Sequence, residues 1–258
     1  MVDDAAVESA LRFLVPSATQ PEPARTSVSY AVRRRNGGYE ILRDGVPMDV
    51  QFDPMQVLDV LYRRTQTDAL KAWPGATVLK ALTGCHHGER FLVVGESRAD
   101  CSHVGLELLA LGADVQGDDL AILDGDQITA YPRPLRVIGD SARLPPGAPP
   151  LAALPSVAVS QSTNQWALDL AAAGLDWRIS AGHCDVVIGL ETNYGGQSRL
   201  AEMNRRDMAR DLMSCSEALG DPLARIRTLA DLVDQARCYR LRLGNVSDVA
   251  AFWPSRVS

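Results

Sequence analysis

Lysine is nearly absent from this chain: of 26 basic residues only Lys71 and Lys80 are lysines, and the other 24 are arginines. A motif that needs lysine must use one of those two positions or go without. Basic residues are also outnumbered, 26 against 32 Asp plus Glu, for a net charge of −6 over 258 residues. That balance argues against a nucleic-acid partner held by bulk charge, since such binding runs on an excess of Lys and Arg facing phosphates. Aromatic residues make up only 5%, so the core must be mostly aliphatic. No apolar run reaches the ~18 residues of a membrane span. The acidic start Met1-Val2-Asp3-Asp4 lacks the basic beginning of a secretory signal. The expectation is a cytoplasmic protein with no membrane partner. Five cysteines, Cys85, Cys101, Cys184, Cys215 and Cys238, are odd in number and irregularly spaced, with no C-x-x-C. A disulfide framework is not expected from them.

What is present, 46% hydrophobic and 22% charged residues, is ordinary globular composition. Residues 4–14 read as a short amphipathic helix and 16–23 as a turn-rich connector. Alternation over 27–32, the hairpin signal Asn36-Gly37-Gly38, the return 39–42 and the turn Asp44-Gly45 predict a small antiparallel sheet at 27–50. Residues 53–67 read as a helix, with Asp53 as N-cap and Pro54 at its first position. These elements make an N-terminal region, residues 1–75, distinct from an α/β core at 76–258.

The core opens with the apolar stretch 78–82 and the turn Gly84-Cys85-His86-His87-Gly88. Phe91-Leu92-Val93-Val94 follows, a continuous apolar run of the kind that suits a strand buried on both faces. Then come the loop 95–101, a helix with Val104, Leu108 and Leu111 on one face and Gly112 as its stop, and a further strand at 120–123. Strand, loop, helix, strand is the order of a nucleotide-binding βαβ unit. Residues 144–155 are proline-rich and read as an extended loop, and 161–173 as a helix. Strands are predicted at 177–179 and 186–190, helices at 199–219 and 222–236, a last strand at 238–243 and a short terminal helix.

The stretch Phe91-Leu92-Val93-Val94-Gly95-Glu96-Ser97, Ser102, Gly105 to Asp114 and Gly117-Asp118-Asp119-Leu120 resembles the HPr kinase family, whose P-loop core is shared with phosphoenolpyruvate carboxykinase. The sequels Tyr131-Pro132-Arg133-Pro134-Leu135, the expected strand bearing Trp177, Leu190-Glu191, Tyr194-Gly195-Gly196 and Leu241-Arg242-Leu243-Gly244-Asn245 are similar too. Small HPr-kinase-related proteins of specialised metabolism also carry an N-terminal β region like residues 27–50, so the resemblance spans about 27–252. It implies a P-loop-type mixed sheet with a small β-rich lobe. It further implies phosphate contacts from Gly95, Ser97 and Ser102, Mg²⁺ held by Ser102, Asp119 and Glu191, and catalysis through Asp118 and Asp119.

The departures fall on the chemistry. Where the family motif has Gly-Lys before the serine, this chain has Asp100-Cys101. A phosphate loop curls backbone N–H groups around oxyanions and adds a lysine charge. Asp100 brings a carboxylate there instead, and Cys101 supplies no cation. The family histidine on the preceding strand is replaced by Lys80. Arg98 inside the loop, or Lys80 from a neighbouring strand, could restore the missing charge. Three functions follow: a pseudokinase or accessory protein that binds a metabolite or peptide and uses ATP poorly; an active phosphotransferase with a rebuilt phosphate site; or a repurposed enzyme, with Cys101 as a thiol activated at a helix N-terminus. A homo-oligomer is compatible with each.

Two further clusters have plainer readings. Cys85-His86-His87 with Cys101 and His103 suggests a metal site, but the intervening strand separates the two groups by about 20 Å at ~3.3 Å per residue. Arg33-Arg34-Arg35 beside a hairpin reads as a solvated strand edge that discourages pairing.

Overall fold

The computed structural model describes residues 28–51, 53–71, 73, 75–138, 156–160, 165–168, 170 and 177–254. The helix expected at 4–14, the connector at 16–23 and the proline-rich stretch at 144–155 lie outside them. The first described part is a three-stranded antiparallel sheet, β1 (Tyr30–Arg35), β2 (Gly38–Arg43) and β3 (Val46–Gln51), in that order. Both of its turns have two left-handed residues, Asn36-Gly37 (φ 49° and 80°) and Asp44-Gly45 (φ 50° and 80°). That geometry matches the right-handed twist of the strands it joins. Arginines 33–35 are exposed on β1, and Arg35 pairs with Glu40 at 3.0 Å.

Helix α1 (Pro54–Lys71) packs on this sheet. Pro54 stands at its first position, where a missing N–H costs nothing, and the N–H groups of Gln56 and Val57 return to the Asp53 carbonyl at 3.0 and 3.2 Å. Val57 and Leu61, one turn apart, pack with Val32, Tyr39 and Ile41. Asp68 accepts hydrogen bonds from the Tyr30 hydroxyl (2.6 Å) and Arg43 Nε (2.7 Å), which fastens the helix to the first two strands.

The apolar stretch after α1 is split at Ala81. β4 (Thr77–Lys80) joins β8 (Leu120–Asp124) and β9 (Gln127–Ala130) in one sheet. β5 (Leu82–His86) belongs to a larger sheet with β6 (Glu89–Gly95), β7 (Asp114–Gly117), β13 (Val186–Thr192), β14 (Arg199–Glu202) and β15 (Arg237–Leu243). Its order is β14-β15-β13-β6-β5-β7; β6, β13 and β15 are parallel, and the others antiparallel to their neighbours. A fourth sheet places β12 (Gln165–Leu168) between β10 (Arg136–Ile138) and β11 (Ser156–Ser160). The fold is mixed α/β with a small antiparallel region at its N-terminal side.

The run at 91–94 is apolar throughout because β6 is covered on both faces. Phe91 and Val93 pack with Val104 and Leu108 of α2 (Arg98–Ala110). Leu92 and Val94 pack with Met208 and Leu212 of α3 (Arg205–Cys215) and with Leu229 and Val233 of α4 (Pro222–Gln235). Each such side chain contributes roughly 1.5–3 kcal/mol. Helix α2 lies close on the sheet: a Cβ on Gly105 would stand 2.9 Å from Leu82 Cδ1. The chain ends its described part in a 3₁₀ turn (Val246–Asp248) and α5 (Val249–Phe252).

Three expected elements are different. Residues 165–168, expected in a helix, form β12, because they pair on both sides and that pairing overrides local propensity. The expected strand at 177–179 has no ladder; Trp177 Nε1 donates to the Gln116 carbonyl (3.2 Å), and Gln116 Oε1 accepts the Ser180 N–H (3.1 Å). The helix expected over 199–219 is cut to α3, because β14 precedes it and Asn204 caps it, its side chain accepting the Asp207 N–H at 2.9 Å.

Candidate functional site

The parallel strands β6, β13 and β15 run in register, and a cleft of about 660 Å³ opens at their C-terminal ends. Ligands of open α/β sheets bind outside the carboxyl ends of the strands. Glu96, Ser97, Asp100, Glu191, Arg240 and Arg242 are among the residues that line it.

The segment expected to be a phosphate loop is instead the start of a helix. α2 begins at Arg98, four residues before Ser102, where it was expected. Ser97 is its N-cap: the side chain accepts the Asp100 N–H at 3.2 Å, and its carbonyl accepts the Cys101 N–H at 3.2 Å. With no glycine between residues 96 and 100, nothing favours an open curl over a capped turn. Gly95 ends β6 close against its neighbour; a Cβ there would stand 3.1 Å from the Leu190 carbonyl oxygen. The Asp100 carboxylate, favourably placed near the positive end of the helix, accepts hydrogen bonds from Thr192 Oγ1 (2.7 Å) and Tyr194 Oη (2.6 Å). Burial, followed by the bond to Asp100, pushes the Tyr194 hydroxyl well above its ordinary pKa, so it remains a donor. The N–H groups of Asp100 and Cys101 are thus taken up by Ser97, and a carboxylate stands at this end of the helix.

Asp118 and Ser102 are brought together, away from the cleft lining. The Ser102 hydroxyl donates to Asp118 Oδ2 at 3.1 Å, and both residues are buried. The same oxygen accepts the Arg136 N–H at 2.8 Å. Buried Arg133 bridges the acidic pair, 3.3 Å from Asp118 Oδ1 and 3.0 Å from Asp119 Oδ2, and also donates to the Tyr62 hydroxyl of α1. Arg136 lies over the Tyr62 ring, 3.5 Å from its centre, and burial lowers its pKa to about 10. The pair between β7 and β8 is therefore a buried, arginine-neutralised link between the core and α1.

Glu191 stands elsewhere, at the end of β13. Arg242 holds it through Nη2 at 2.9 Å and Nε at 3.2 Å, Arg240 also donates to it, and Arg240 Nη2 reaches Asp211 at 2.7 Å. The bond from Arg242, with help from Arg240, keeps its pKa below the ordinary carboxylate value. The expected Mg²⁺ set of Ser102, Asp119 and Glu191 is thus divided between two places. Among the described residues no three His, Cys, Asp or Glu side chains are grouped to hold a metal ion.

The strand of Lys80 does not run beside β6 but pairs with β8, and Lys80 pairs with Glu217 at 3.2 Å. The Arg98 side chain lies outside the described residues. Cys101 is buried, and burial, with Cys215, Asp100 and Asp118 adding to it, pushes its thiol up to about 12. The lowered pKa expected at a helix N-terminus is reversed because the side chain turns inward, within 3.5 Å of the Cβ position of Gly95. The β5–β6 turn, His87-Gly88 with φ 51° and 78°, lies at the opposite end of β6 from Cys101.

Sequence reasoning missed Arg133, Asp211, Arg240 and the role of Arg242. A signal existed for two of them: Arg240 and Arg242 alternate along β15, so both project from one face. Arg133 lies within the stretch 131–135 that carries the resemblance, but nothing local marks it as the partner of the acidic pair.

No family model matches this chain, and no curated protein matches it. Among solved structures it is similar to the HPr(Ser) kinase/phosphatase from Coxiella burnetii, at 12% identity and a TM-score of 0.28, over 61% of this chain and 93% of that one. That is a distant neighbour, and the functional reading rests on the residues of this chain.

Proposed function

We propose that this chain is an HPr-kinase-like P-loop protein that has given up ATP turnover and works as a pseudokinase or accessory binding protein, holding a small molecule or peptide in the cleft at the ends of β6, β13 and β15. The observation that carries this reading is Asp100. Its carboxylate is fixed by Thr192 and Tyr194 at the mouth of the helix where the family motif has its phosphate-facing glycine. Two more features support it. The cleft arginines are already neutralised by Glu191 and Asp211, and Ser102 and Asp118 are committed to a buried network. An ATP tail needs positive charge and open N–H groups, and losing one preorganised donor alone costs ~10²–10³ in rate.

The test is calorimetric titration of Mg-ATP. The protein as it stands is expected to show no saturable binding at micromolar nucleotide. Asp100→Gly is expected to bring weak, measurable binding, because it removes the repelling carboxylate from the N-terminal end of α2 and leaves the buried Cys101 and Ser102 untouched. Tight binding by the unmodified protein, lost on Arg98→Ala, would instead establish a rebuilt phosphate site and overturn the reading.

A further inference from the structure

The cleft has two unlike walls. On one, four charges cancel: Arg240 lies between Glu191 and Asp211, and Arg242 pairs with Glu191. On the other stand Glu96 and Asp100: among the described residues no cation pairs with either, and Asp100 is bonded to the hydroxyls of Thr192 and Tyr194. Among the described residues lining the cavity, four carboxylates face two guanidinium groups. A phosphate or carboxylate entering it would have to displace Glu191 from both arginines and then lie beside the carboxylate it displaced. A cation displaces nothing.

A second feature points the same way. Tyr194 is a large aromatic side chain left 55% exposed beside the cavity, and its hydroxyl is tied to Asp100. An aromatic face next to a carboxylate is a favourable surround for an ammonium or guanidinium group, which gains from the ring quadrupole as well as from the charge. The hydroxyl, bonded to Asp100, adds no competing anion.

We infer that the cleft binds an organic cation, a small molecule carrying ammonium or guanidinium groups, with Asp100 and Glu96 as counter-charges and Tyr194 beside them. This rests on the reading of the cleft as a binding site without ATP turnover and names the ligand class it takes. An organic cation, unlike a bare metal ion, can use the Tyr194 ring as well as the carboxylates. The cavity of about 660 Å³ is in the range of small-molecule sites, which run ~300–1,000 Å³.

The probe is agmatine, which carries a guanidinium at one end and an ammonium at the other. It is titrated by calorimetry into the full chain, in parallel with inorganic phosphate and with Mg-ATP. Saturable agmatine binding is expected, weakened about tenfold by Asp100→Asn and about fivefold by Glu96→Gln, and weakened by added salt. Glu96 lies in an exposed loop position, so its variant keeps the test open should Asp100→Asn disturb the helix start. Agmatine that fails to saturate, or binds equally well to both variants, overturns the inference, as does saturable phosphate without agmatine. Failure of the agmatine arm with Mg-ATP also silent removes the ligand class and leaves the proposed function standing. Tight Mg-ATP binding removes the proposed function itself.

Discussion

The Ser102 hydroxyl donates to the Asp118 carboxylate at 3.1 Å, and neither residue is open to solvent. The resemblance gives Ser102 to the Mg²⁺ set and Asp118 to catalysis, and the two side chains meet in a hydrogen bond. The carboxylate is already occupied, however, by Arg133 on one oxygen and by Ser102 and the Arg136 N–H on the other. Arg133 lies between the two carboxylates of the acidic pair. A buried guanidinium there holds both through charge-assisted hydrogen bonds in a fixed planar geometry.

Arg133→Met is therefore expected to be severely destabilising. Removing one partner of a buried ion network leaves the others uncompensated and costs about 3–5 kcal/mol. For a chain of this size that corresponds to a fall in Tm of roughly 10 °C or more. Adding Asp118→Asn and Asp119→Asn to the same variant should recover part of the loss, since the orphaned charges go with it. Thermal unfolding of the three proteins checks this. A loss under about 1 kcal/mol in Arg133→Met would mean that the acidic pair is solvated and free to take a cation.

Much of the framework is legible because it is written in local chemistry. Asn36-Gly37 and Asp44-Gly45 specify hairpins through left-handed backbone, and Asp53-Pro54 opens α1. The unbroken run at 91–94 specifies a strand covered on both faces. What is illegible depends on distant partners. Residues 165–168 read as helix because nothing in them records that β10 and β11 flank them. Of the candidate site, sequence order locates the end of β6, Asp100, Ser102, Asp118 and Glu191. It does not show that Glu191 faces β15 while Ser102 faces Asp118, since each meets its partner only through the fold: Ser102 contacts residue 118, and Glu191 contacts residues 240 and 242. Burial of Cys101 is equally invisible, because a polar-looking loop gives no hint that its thiol turns toward Gly95.

Cys101 offers a direct check on that inward turn. With its thiol raised to about 12 by burial, and Cys184 raised to about 12 for the same leading reason, neither forms thiolate near neutrality. Iodoacetamide at pH 7.5 is expected to leave both unmodified in the folded protein, and to modify all five cysteines once the chain is unfolded in guanidinium. Peptide mass spectrometry reads the sites. Labelling of Cys101 in the folded state at the unfolded rate would restore the reactive thiol that a helix N-terminus suggests.

Glu191 ties the cleft to pH. Its pKa is lowered in the folded protein, first by the hydrogen bond from Arg242 and further by Arg240. A carboxyl with a depressed folded pKa stabilises the fold above its ordinary pKa of 4.5, and that contribution disappears as pH falls through the folded value. Glu191→Gln should therefore lower Tm at pH 7 and lose its effect as the pH falls well below 4.5. The side chain is 34% exposed and Arg242 57% exposed, so screening keeps the loss to about 1 kcal/mol or less, a few degrees in Tm. The same substitution leaves Arg242 without its partner, and inorganic phosphate, which the unmodified cleft should refuse, is expected to bind weakly to the variant. Thermal melts of both proteins from pH 7 downward, with and without phosphate, measure the two effects together. A Tm difference that persists unchanged into acid would show that Glu191 acts through packing, because an electrostatic contribution must vanish once the carboxyl is protonated in both states.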